Sequence, residues 1–193
     1  MFRTNQTVTP KLNGFFHRGR YEPITQVIIT SFISGLKKAG VNFVVSLPST
    51  ATRALIPAIM DDPHFTHVPV ANENDGMGIC AGAWHGGKKP AFVLEATGIL
   101  LGNLGLFMSI TRHGGAMLLV VDHRGDFGDG AADFYFNFAA KAEQILESLD
   151  VPYTIVRKSN ELLPELVRAQ RTAEGFARPA AVLLSLEELW IRK

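Results

Sequence analysis

Short apolar runs alternate with amphipathic stretches along most of the chain. Six of these runs predict buried strands, at 41–48, 66–71, 91–96, 116–122, 152–156 and 180–186. Pro69 interrupts the second run and cannot donate to a strand ladder, so we expect that strand at a sheet edge. Helices are predicted between the runs, and the clearest, at 138–149, places five apolar residues on one face: Phe138, Ala142, Ile145, Leu146 and Leu149. The stretch 23–39 begins with a proline, stops at Gly40 and is also expected to be helical, as is 50–61.

Apolar strands separated by helices indicate a parallel sheet covered on both faces. The length of 193 residues suits one sizeable domain, and no internal repeat or linker divides the chain. We therefore predict one α/β domain at 23–193, doubly wound around a parallel sheet of about six strands with helices on both faces. A basic arm, residues 1–22, precedes it, and its first 21 positions hold four basic residues and no acidic one. A surface arm is the favoured interpretation, with a basic transit peptide as the alternative.

Composition narrows the classes of function. The chain is 47% hydrophobic and 19% charged, which is typical of a packed globular protein. A net charge of +1 gives no electrostatic reason to expect nucleic acid or a membrane surface as partner. The apolar runs are far shorter than the roughly 20 residues of a membrane-spanning helix. The single Cys80 cannot form an internal disulfide, so we expect a reducing, cytoplasmic location.

Ligands of open parallel sheets bind outside the carboxyl ends of the strands. The segments expected there as loops are Pro48–Thr52, Asn72–Gly76, Ala96–Asn103, Asp122–Gly130 and Arg157–Asn160. Glu73 lies in the second of them, just before a predicted helix (75–86) that contains four glycines. Each glycine costs a helix about 0.5–1 kcal/mol relative to alanine, which indicates close approach of another helix or a ligand. The alternative role for Glu73 is a cap at the helix N-terminus, which Asp75 could serve equally well.

The segment "NENDGMGICAGAWHGGKKPAFVLEATG" resembles the pyrimidine-binding domain of thiamine diphosphate enzymes, as do "GVNFVVSLPST" before it and "LLVVDHRGDFG" after it. The nearest relatives by this resemblance are the sulfopyruvate decarboxylase alpha subunits and phosphonopyruvate decarboxylase. The resemblance extends over roughly residues 24–190. Its most specific part is an Asn-Glu pair followed by a helix of small residues and a Gly-Lys-Lys-Pro turn into an apolar strand.

The resemblance implies a role for Glu73: its carboxyl group hydrogen-bonds the ring nitrogen of the cofactor's aminopyrimidine and acts as the catalytic acid/base. Burial among apolar strands and glycine-rich backbone would favour the protonated carboxyl, which could then hold and share a proton near neutral pH. The positions expected to bind the cofactor besides Glu73 are Pro48, Asn72, Thr97, Gly98 and Asn103.

Substrate contacts are expected from a second set of residues. The hydroxyls after the first strand precede a helix N-terminus, which is either an anion site or a plain Ser/Thr cap. Basic residues after later strands could bind an anionic substrate or transfer protons, with a solvent-facing role as the alternative. The substrate candidates are Ser46, Ser49, Thr50, His113, His123 and Arg124.

Half of the expected active site is missing from the chain. The resemblance implies that a second domain binds the diphosphate through Mg²⁺, with a Gly-Asp-Gly motif followed after about 25–30 residues by an Asn pair. A Gly-Asp-Gly does occur at Gly128–Gly130, but no Asn pair follows, and we interpret it as a polar loop. We therefore expect a separate diphosphate-binding subunit that holds most of the Mg²⁺ contacts, and we assign no metal ligand to this chain. The glycine-rich helix would lie at the interface of a hetero-oligomer with paired pyrimidine-binding domains.

One segment departs from the family pattern: relatives carry "QNSGLGN" where this chain has "EATGILLGN", Glu95–Asn103. An additional carboxylate there would disfavour a sulfonate or phosphonate group, which leaves the identity of the 2-oxo acid open. The prediction is a subunit of a thiamine diphosphate-dependent decarboxylase, a lyase acting on a small anionic 2-oxo acid. The alternatives are a carboligase of the same cofactor class and a non-catalytic scaffold or regulatory subunit. An unrelated flavodoxin-like nucleotide-binding protein is disfavoured because no G-x-G-x-x-G or P-loop follows the first strand.

Overall fold

The structure is a computed structural model, and it describes residues 26–49, 51–108, 114–127 and 135–185. The basic arm at 1–22, two substrate candidates (Thr50 and His113) and the Gly128–Gly130 motif lie outside the described residues. No helix in the described ranges has the length and apolar character to cross a membrane.

Strands and helices alternate through these residues. The six strands are β1 (Phe43–Ser46), β2 (Thr66–Pro69), β3 (Pro90–Glu95), β4 (Met117–Asp122), β5 (Tyr153–Val156) and β6 (Pro179–Leu184). The helices are α1 (Gln26–Lys38), α2 (Ile56–Met60), α3 (Glu73–His85), α4 (Ala96–Leu101), α5 (Asn103–Leu106), α6 (Phe136–Ser148) and α7 (Leu162–Phe176). Short 3₁₀ turns at Thr52–Ala54 and Ser159–Glu161 precede α2 and α7. All six predicted strands are therefore confirmed.

The strands form one parallel sheet in the order β2-β1-β3-β4-β6-β5. The predicted doubly wound α/β class is confirmed. The edge position of β2 is confirmed as well, and there the missing backbone N–H of Pro69 costs no hydrogen bond in the centre of the sheet. The chain runs outward from β1 to β2 and then returns to β3 on the other side of β1. The connections from β1 and β3 therefore diverge, and a crevice opens between their carboxyl ends.

Two apolar cores lie on opposite faces of the sheet. Successive residues of β4 alternate between them: Leu118 and Val120 belong to the core with α1 and α7, whereas Leu119 and Val121 belong to the core with α3 and α6. The central strands β3, β4 and β6 are buried on both faces apart from Glu95 at the end of β3, which explains their nearly unbroken apolar sequence. The shared apolar face predicted for α6 packs into the second core.

The segment after β3 differs from the prediction. We expected a loop at Ala96–Asn103, but α4 begins at Ala96, directly after the extended residue Glu95, and α5 follows after Gly102. The glycines suggested a loop, yet they are tolerated in these helices because each faces a closely packed neighbour. The segment Asn72–Gly76 is also helical from Glu73 onward, and the helix predicted at 50–61 is reduced to a 3₁₀ turn and the short α2.

Candidate active site

Polar residues collect at the carboxyl ends of β1, β3 and β4, beside the crevice. Ser46 and Glu95 end β1 and β3, and Asp122 ends β4 opposite Glu95 in the strand register. Glu73 joins them from the start of α3. This group of polar side chains defines the candidate site among the described residues.

Glu73 is the first residue of α3, and its side chain is 6% exposed. It is not the helix cap, because Asn72 has that role: the Asn72 side chain accepts a hydrogen bond of 2.8 Å from the backbone N–H of Asn74. The N-terminus of α3 therefore does not need the carboxyl group of Glu73. A buried carboxyl that no cap requires is a candidate for chemistry.

Glycines of α4 make the space in which Glu73 lies. A Cβ atom at Gly98 would be 2.9 Å from Cγ of Glu73, and one at Gly102 would be 3.2 Å from its Cβ. The first distance is shorter than real Cβ contacts and the second is tighter than most, so glycine at both positions lets α4 and its C-cap approach Glu73 closely. The predicted cofactor residue Gly98 thus contacts the predicted catalytic residue directly.

Asn74 fastens α3 to the segment that carries these glycines. Its side-chain amide donates to the backbone oxygen of Leu101 at 3.1 Å, and its Oδ1 accepts from the backbone N–H of Gly105 at 2.8 Å. Sequence reasoning missed Asn74 and Gly105. The spacing of Gly98, Gly102 and Gly105 by four and three residues is the signal that could have revealed a helical contact face.

Gly76 confirms the expected close approach on α3. A Cβ atom there would lie 2.3 Å from Cζ of Phe92, a fully buried residue of β3. Gly78 and Gly82 are different, because nothing in the described residues lies within 4 Å of their Cβ positions. Within the described part of the chain, the side of α3 that carries Gly76 is therefore packed, whereas the positions of Gly78 and Gly82 are open.

Asp122 is almost completely buried, and it joins two segments of the site. One carboxylate oxygen accepts a hydrogen bond from the hydroxyl of Ser49, and the other accepts from the backbone N–H of Ala96 at 3.3 Å. The Ser49 hydroxyl also accepts from the backbone N–H of Thr52 at 3.0 Å. Desolvation, opposed by the bond from Ser49 and reinforced by the charge of Glu95, raises the pKa of Asp122 to about 7.

Glu95 and Arg124 add opposite charges to the same end of the sheet. Desolvation raises the pKa of Glu95; the charge of Arg124 and a hydrogen bond from Thr97 oppose the rise, whereas the charge of Glu73 adds to it. Arg124 is buried, and its guanidinium carbon lies 4.1 Å from the ring centroid of Tyr135. The departure at Glu95 therefore places an acidic group within electrostatic reach of Glu73.

Two predicted substrate residues, His123 and Ser46, have hydrogen-bond partners other than the groups around Glu73. His123 is fully buried, with Nε2 3.1 Å from Oε1 of Glu143 on α6 and Nδ1 3.4 Å from Oδ2 of Asp126, so it does not face the crevice as a free substrate contact would. The Ser46 hydroxyl is likewise buried and hydrogen-bonds Nε2 of His67 at 2.8 Å. Pro48 is exposed beside the segment that Asp122 holds.

Asn103 contributes a polar atom that lacks a partner. Its Oδ1 is buried and accepts no hydrogen bond from the described residues. Asn103 begins α5, directly after the Gly102 that packs against Glu73. A buried acceptor of this kind needs a donor, because leaving it unpaired costs roughly 1–3 kcal/mol.

Comparisons with known proteins identify related sequences and a related structure. Over 150 residues the chain is 27% identical to "Sulfopyruvate decarboxylase subunit alpha" of Methanococcus maripaludis, covering 76% of this chain and 87% of that protein. Over 155 residues it is 28% identical to the protein of the same name from Methanothermobacter thermautotrophicus, covering 79% and 92% of the two chains. No protein-family profile matches the chain.

The fold is similar to that of the thiamine diphosphate-dependent 4-hydroxybenzoylformate decarboxylase of Rhodococcus jostii, with a TM-score of 0.66 and 14% sequence identity. The similarity covers 84% of this chain but only 30% of that enzyme. This chain therefore spans less than a third of the structural relative, although it spans most of each alpha subunit.

The fold, the relatives and the buried glutamate at the switch point together define a class of protein. The chain is a homologue of the alpha subunits of sulfopyruvate decarboxylase, at 27–28% sequence identity. Its fold is similar to that of a thiamine diphosphate-dependent decarboxylase. The resemblance inferred from the Asn-Glu pair and the small-residue helix is confirmed.

Proposed function

We propose that this chain is the pyrimidine-binding alpha subunit of a thiamine diphosphate-dependent 2-oxo acid decarboxylase, with Glu73 as the residue that activates the cofactor. The observation that carries the proposal is the buried Glu73 carboxyl, which lies at the switch point against Gly98 and is not needed as a helix cap. The names of the relatives support the class of reaction.

The residues present fit an aminopyrimidine group. Such a heterocycle offers a ring nitrogen that a carboxyl group can protonate and an exocyclic amine that needs a hydrogen-bond acceptor. Glu73 supplies the carboxyl group, and the acceptor is Oδ1 of Asn103, which has no partner among the described residues and follows the Gly102 that packs against Glu73. When bound, the cofactor supplies the electron sink for the loss of carbon dioxide.

The chain's own contribution is to hold a proton at the carboxyl group of Glu73 and to keep water away from it. Burial excludes bulk solvent from this side chain, and the adjacent Glu95, whose pKa is raised mainly by desolvation, adds a second proton-holding group. Arg124 brings positive charge to the same strand ends and would attract the carboxylate of a 2-oxo acid.

A separate subunit that supplies the diphosphate and Mg²⁺ half is supported by the exposed surface beside the site. Four large apolar residues of α4 and α5 and the segment following α5 are 39–67% exposed: Leu101, Leu104, Phe107 and Met108. The open glycines Gly78 and Gly82 lie on the neighbouring α3. Exposed apolar area of this kind is typical of a subunit interface. The name "subunit alpha" of the relatives supports the same inference.

We expect cofactor binding to require both halves. The chain should be co-expressed with a polypeptide that carries a Gly-Asp-Gly motif and a later Asn pair, and titrated with thiamine diphosphate and Mg²⁺ by calorimetry. The complex should bind at least about tenfold more tightly than this chain alone, a difference of about 1.4 kcal/mol. Equally tight binding by the chain alone would contradict the division of the site between two subunits.

Glu95 is expected to influence which 2-oxo acid is accepted. Its pKa is raised above 4.5, mainly by desolvation, so the carboxyl group becomes anionic only as the pH rises through that raised value. A sulfonated 2-oxo acid carries two negative charges and pyruvate carries one, so its kcat/KM relative to pyruvate should fall as the pH rises through that raised value. In Glu95→Gln this fall should be at least about halved, because glutamine cannot become anionic. An identical pH dependence in both proteins would show that Glu95 lies too far from the substrate.

A second candidate function is a non-catalytic scaffold subunit, which the departure at Glu95–Asn103 favours. The two candidates differ in what they require of Glu73: a scaffold needs only its volume, whereas a decarboxylase needs its acidity. Carboligation to an acyloin uses the same residues, and analysis of the products by mass spectrometry distinguishes it from decarboxylation alone.

A further inference from the structure

Asp122 has no role in the proposed reaction. Among the described residues, however, it is the buried carboxyl group with the most hydrogen bonds. It ends the central strand β4, and its side chain is 1% exposed. Its two oxygens accept hydrogen bonds from different segments, the hydroxyl of Ser49 after β1 and the backbone N–H of Ala96 at the start of α4. These segments flank the crevice between β1 and β3.

Each of the two segments that Asp122 joins has a defined local structure. On the β1 side, Oγ of Ser49 lies 3.0 Å from Oγ1 of Thr52 and accepts from the backbone N–H of Thr52, so that the segment folds back on itself. On the α4 side, Ala96 is fully buried and begins the helix. Asp122 is the common acceptor that joins these two segments.

The first turn of α4, which Asp122 holds through Ala96, also contacts Glu73. Gly98 lies two residues after Ala96, and its Cβ position is 2.9 Å from Cγ and 3.1 Å from Oε1 of Glu73. A shift of the first turn of α4 by even a fraction of an ångström would change this contact. Asp122 is therefore connected to Glu73 by a short series of contacts, through Ala96 and Gly98.

We propose that Asp122 is a positioning residue that fixes α4, and with it the carboxyl group of Glu73, by tying the first turn of α4 to the segment after β1. This inference rests on the proposed function for its catalytic consequence, but the structural link can be tested without it. The charged groups that face Asp122 are Glu95 at the end of β3 and Arg124 in the turn after β4. Hydrogen bonding, rather than the charge of Asp122, is the property that the proposal assigns to it.

Two variants separate hydrogen bonding from charge. Asp122→Asn keeps an oxygen to accept from Ala96 and gains an amide that can donate to Ser49, whose hydroxyl can then donate to Thr52. Asp122→Ala removes both bonds. In the complex with the diphosphate-binding subunit, we expect kcat to fall at least about tenfold in Asp122→Ala, corresponding to about 1.4 kcal/mol. Asp122→Asn should stay within about threefold of the parent, and Ser49→Ala should fall between the two.

Amide hydrogen exchange, measured on the same complexes, tests directly whether Asp122 holds α4 in place. Peptides that cover 94–103 should exchange faster in Asp122→Ala but not in Asp122→Asn, while peptides of α7 keep the parent rate in both. Asp61→Ala is the matched control, since Asp61 is exposed after α2, away from the site, and should change neither kcat nor exchange. If Asp122→Ala does not fold, Ser49→Ala and Asp122→Asn still carry the test.

Two results would overturn the proposal. The first is parental exchange of 94–103 in Asp122→Ala, which would show that Asp122 does not hold α4. The second is an equal loss of kcat in Asp122→Asn and Asp122→Ala with exchange unchanged in Asp122→Asn, which would assign the effect to charge. A parent complex without decarboxylase activity would contradict the proposed function alone, because the exchange experiment would still report on the link.

Discussion

Replacing Glu73 by glutamine is expected to lower kcat of the reconstituted decarboxylase at least about a hundredfold, the usual contribution of a positioned acid/base group. Glutamine has nearly the same volume, so it can occupy the space that Gly98 and Gly102 leave beside Glu73. It cannot exchange a proton, and this is the property that the proposed function requires. The measurement is steady-state release of carbon dioxide with a saturating 2-oxo acid.

A matched replacement of the same chemical kind provides the control. The control is Glu147→Gln. Glu147 lies at the end of α6, near the amino ends of the strands, so this variant should keep kcat within about twofold of the parent. Thermal unfolding of both variants should resemble that of the parent. If Glu73→Gln retained more than a third of the activity, Glu73 would not be the activating acid, and the scaffold function would be favoured.

The second large effect is expected on stability, from Gly76→Ala. The added Cβ would lie 2.3–2.5 Å from two ring carbons of Phe92, which is fully buried in β3 and cannot move away without disturbing the sheet. Overpacking of this kind costs about 1–3 kcal/mol. The higher helix propensity of alanine recovers about 0.5–1 kcal/mol of that. The unfolding midpoint of the purified chain should fall by several degrees, since 1 kcal/mol corresponds to about 2–4 °C for a chain of this size.

Gly78→Ala is the control on the same helix. No atom of the described residues lies within 4 Å of its Cβ position, so only the gain in helix propensity remains, and the midpoint of the isolated chain should rise slightly. A similar loss of stability in both variants would mean that glycine is required for a reason other than contact with Phe92. The comparison therefore tests which side of α3 faces the sheet.

Much of the fold followed from local patterns. Six apolar runs became the six strands, and Pro69 indicated that β2 is an edge strand, because burial on both faces and the loss of a backbone donor are properties of a segment by itself. Glu73 was identified in the same way: an acidic residue between an apolar strand and a helix of small residues is unusual wherever it occurs. The family resemblance of these segments added the class of cofactor.

The arrangement of the site could not be predicted from those patterns. Asp122 and Ser49 are 73 residues apart, and they became hydrogen-bond partners only because β1, β3 and β4 are adjacent in the sheet. The helical start at Ala96 was missed because glycine and threonine favour a loop when considered alone, whereas Gly98 is required in the helix by its contact with Glu73. Such requirements are set by neighbours that are distant along the chain.

The sequence by itself determined that this protein is a doubly wound α/β domain with one conspicuous glutamate, because strand burial and helix periodicity are encoded over a few consecutive residues. The tertiary structure alone decided that the connections leaving β1 and β3 diverge, that α4 lies beside Glu73, and that Asp122 joins the segments after these two strands. The physical reason is that strand order is settled by the packing of the whole sheet, and only that order brings Asp122 within hydrogen-bonding distance of Ser49 and Ala96.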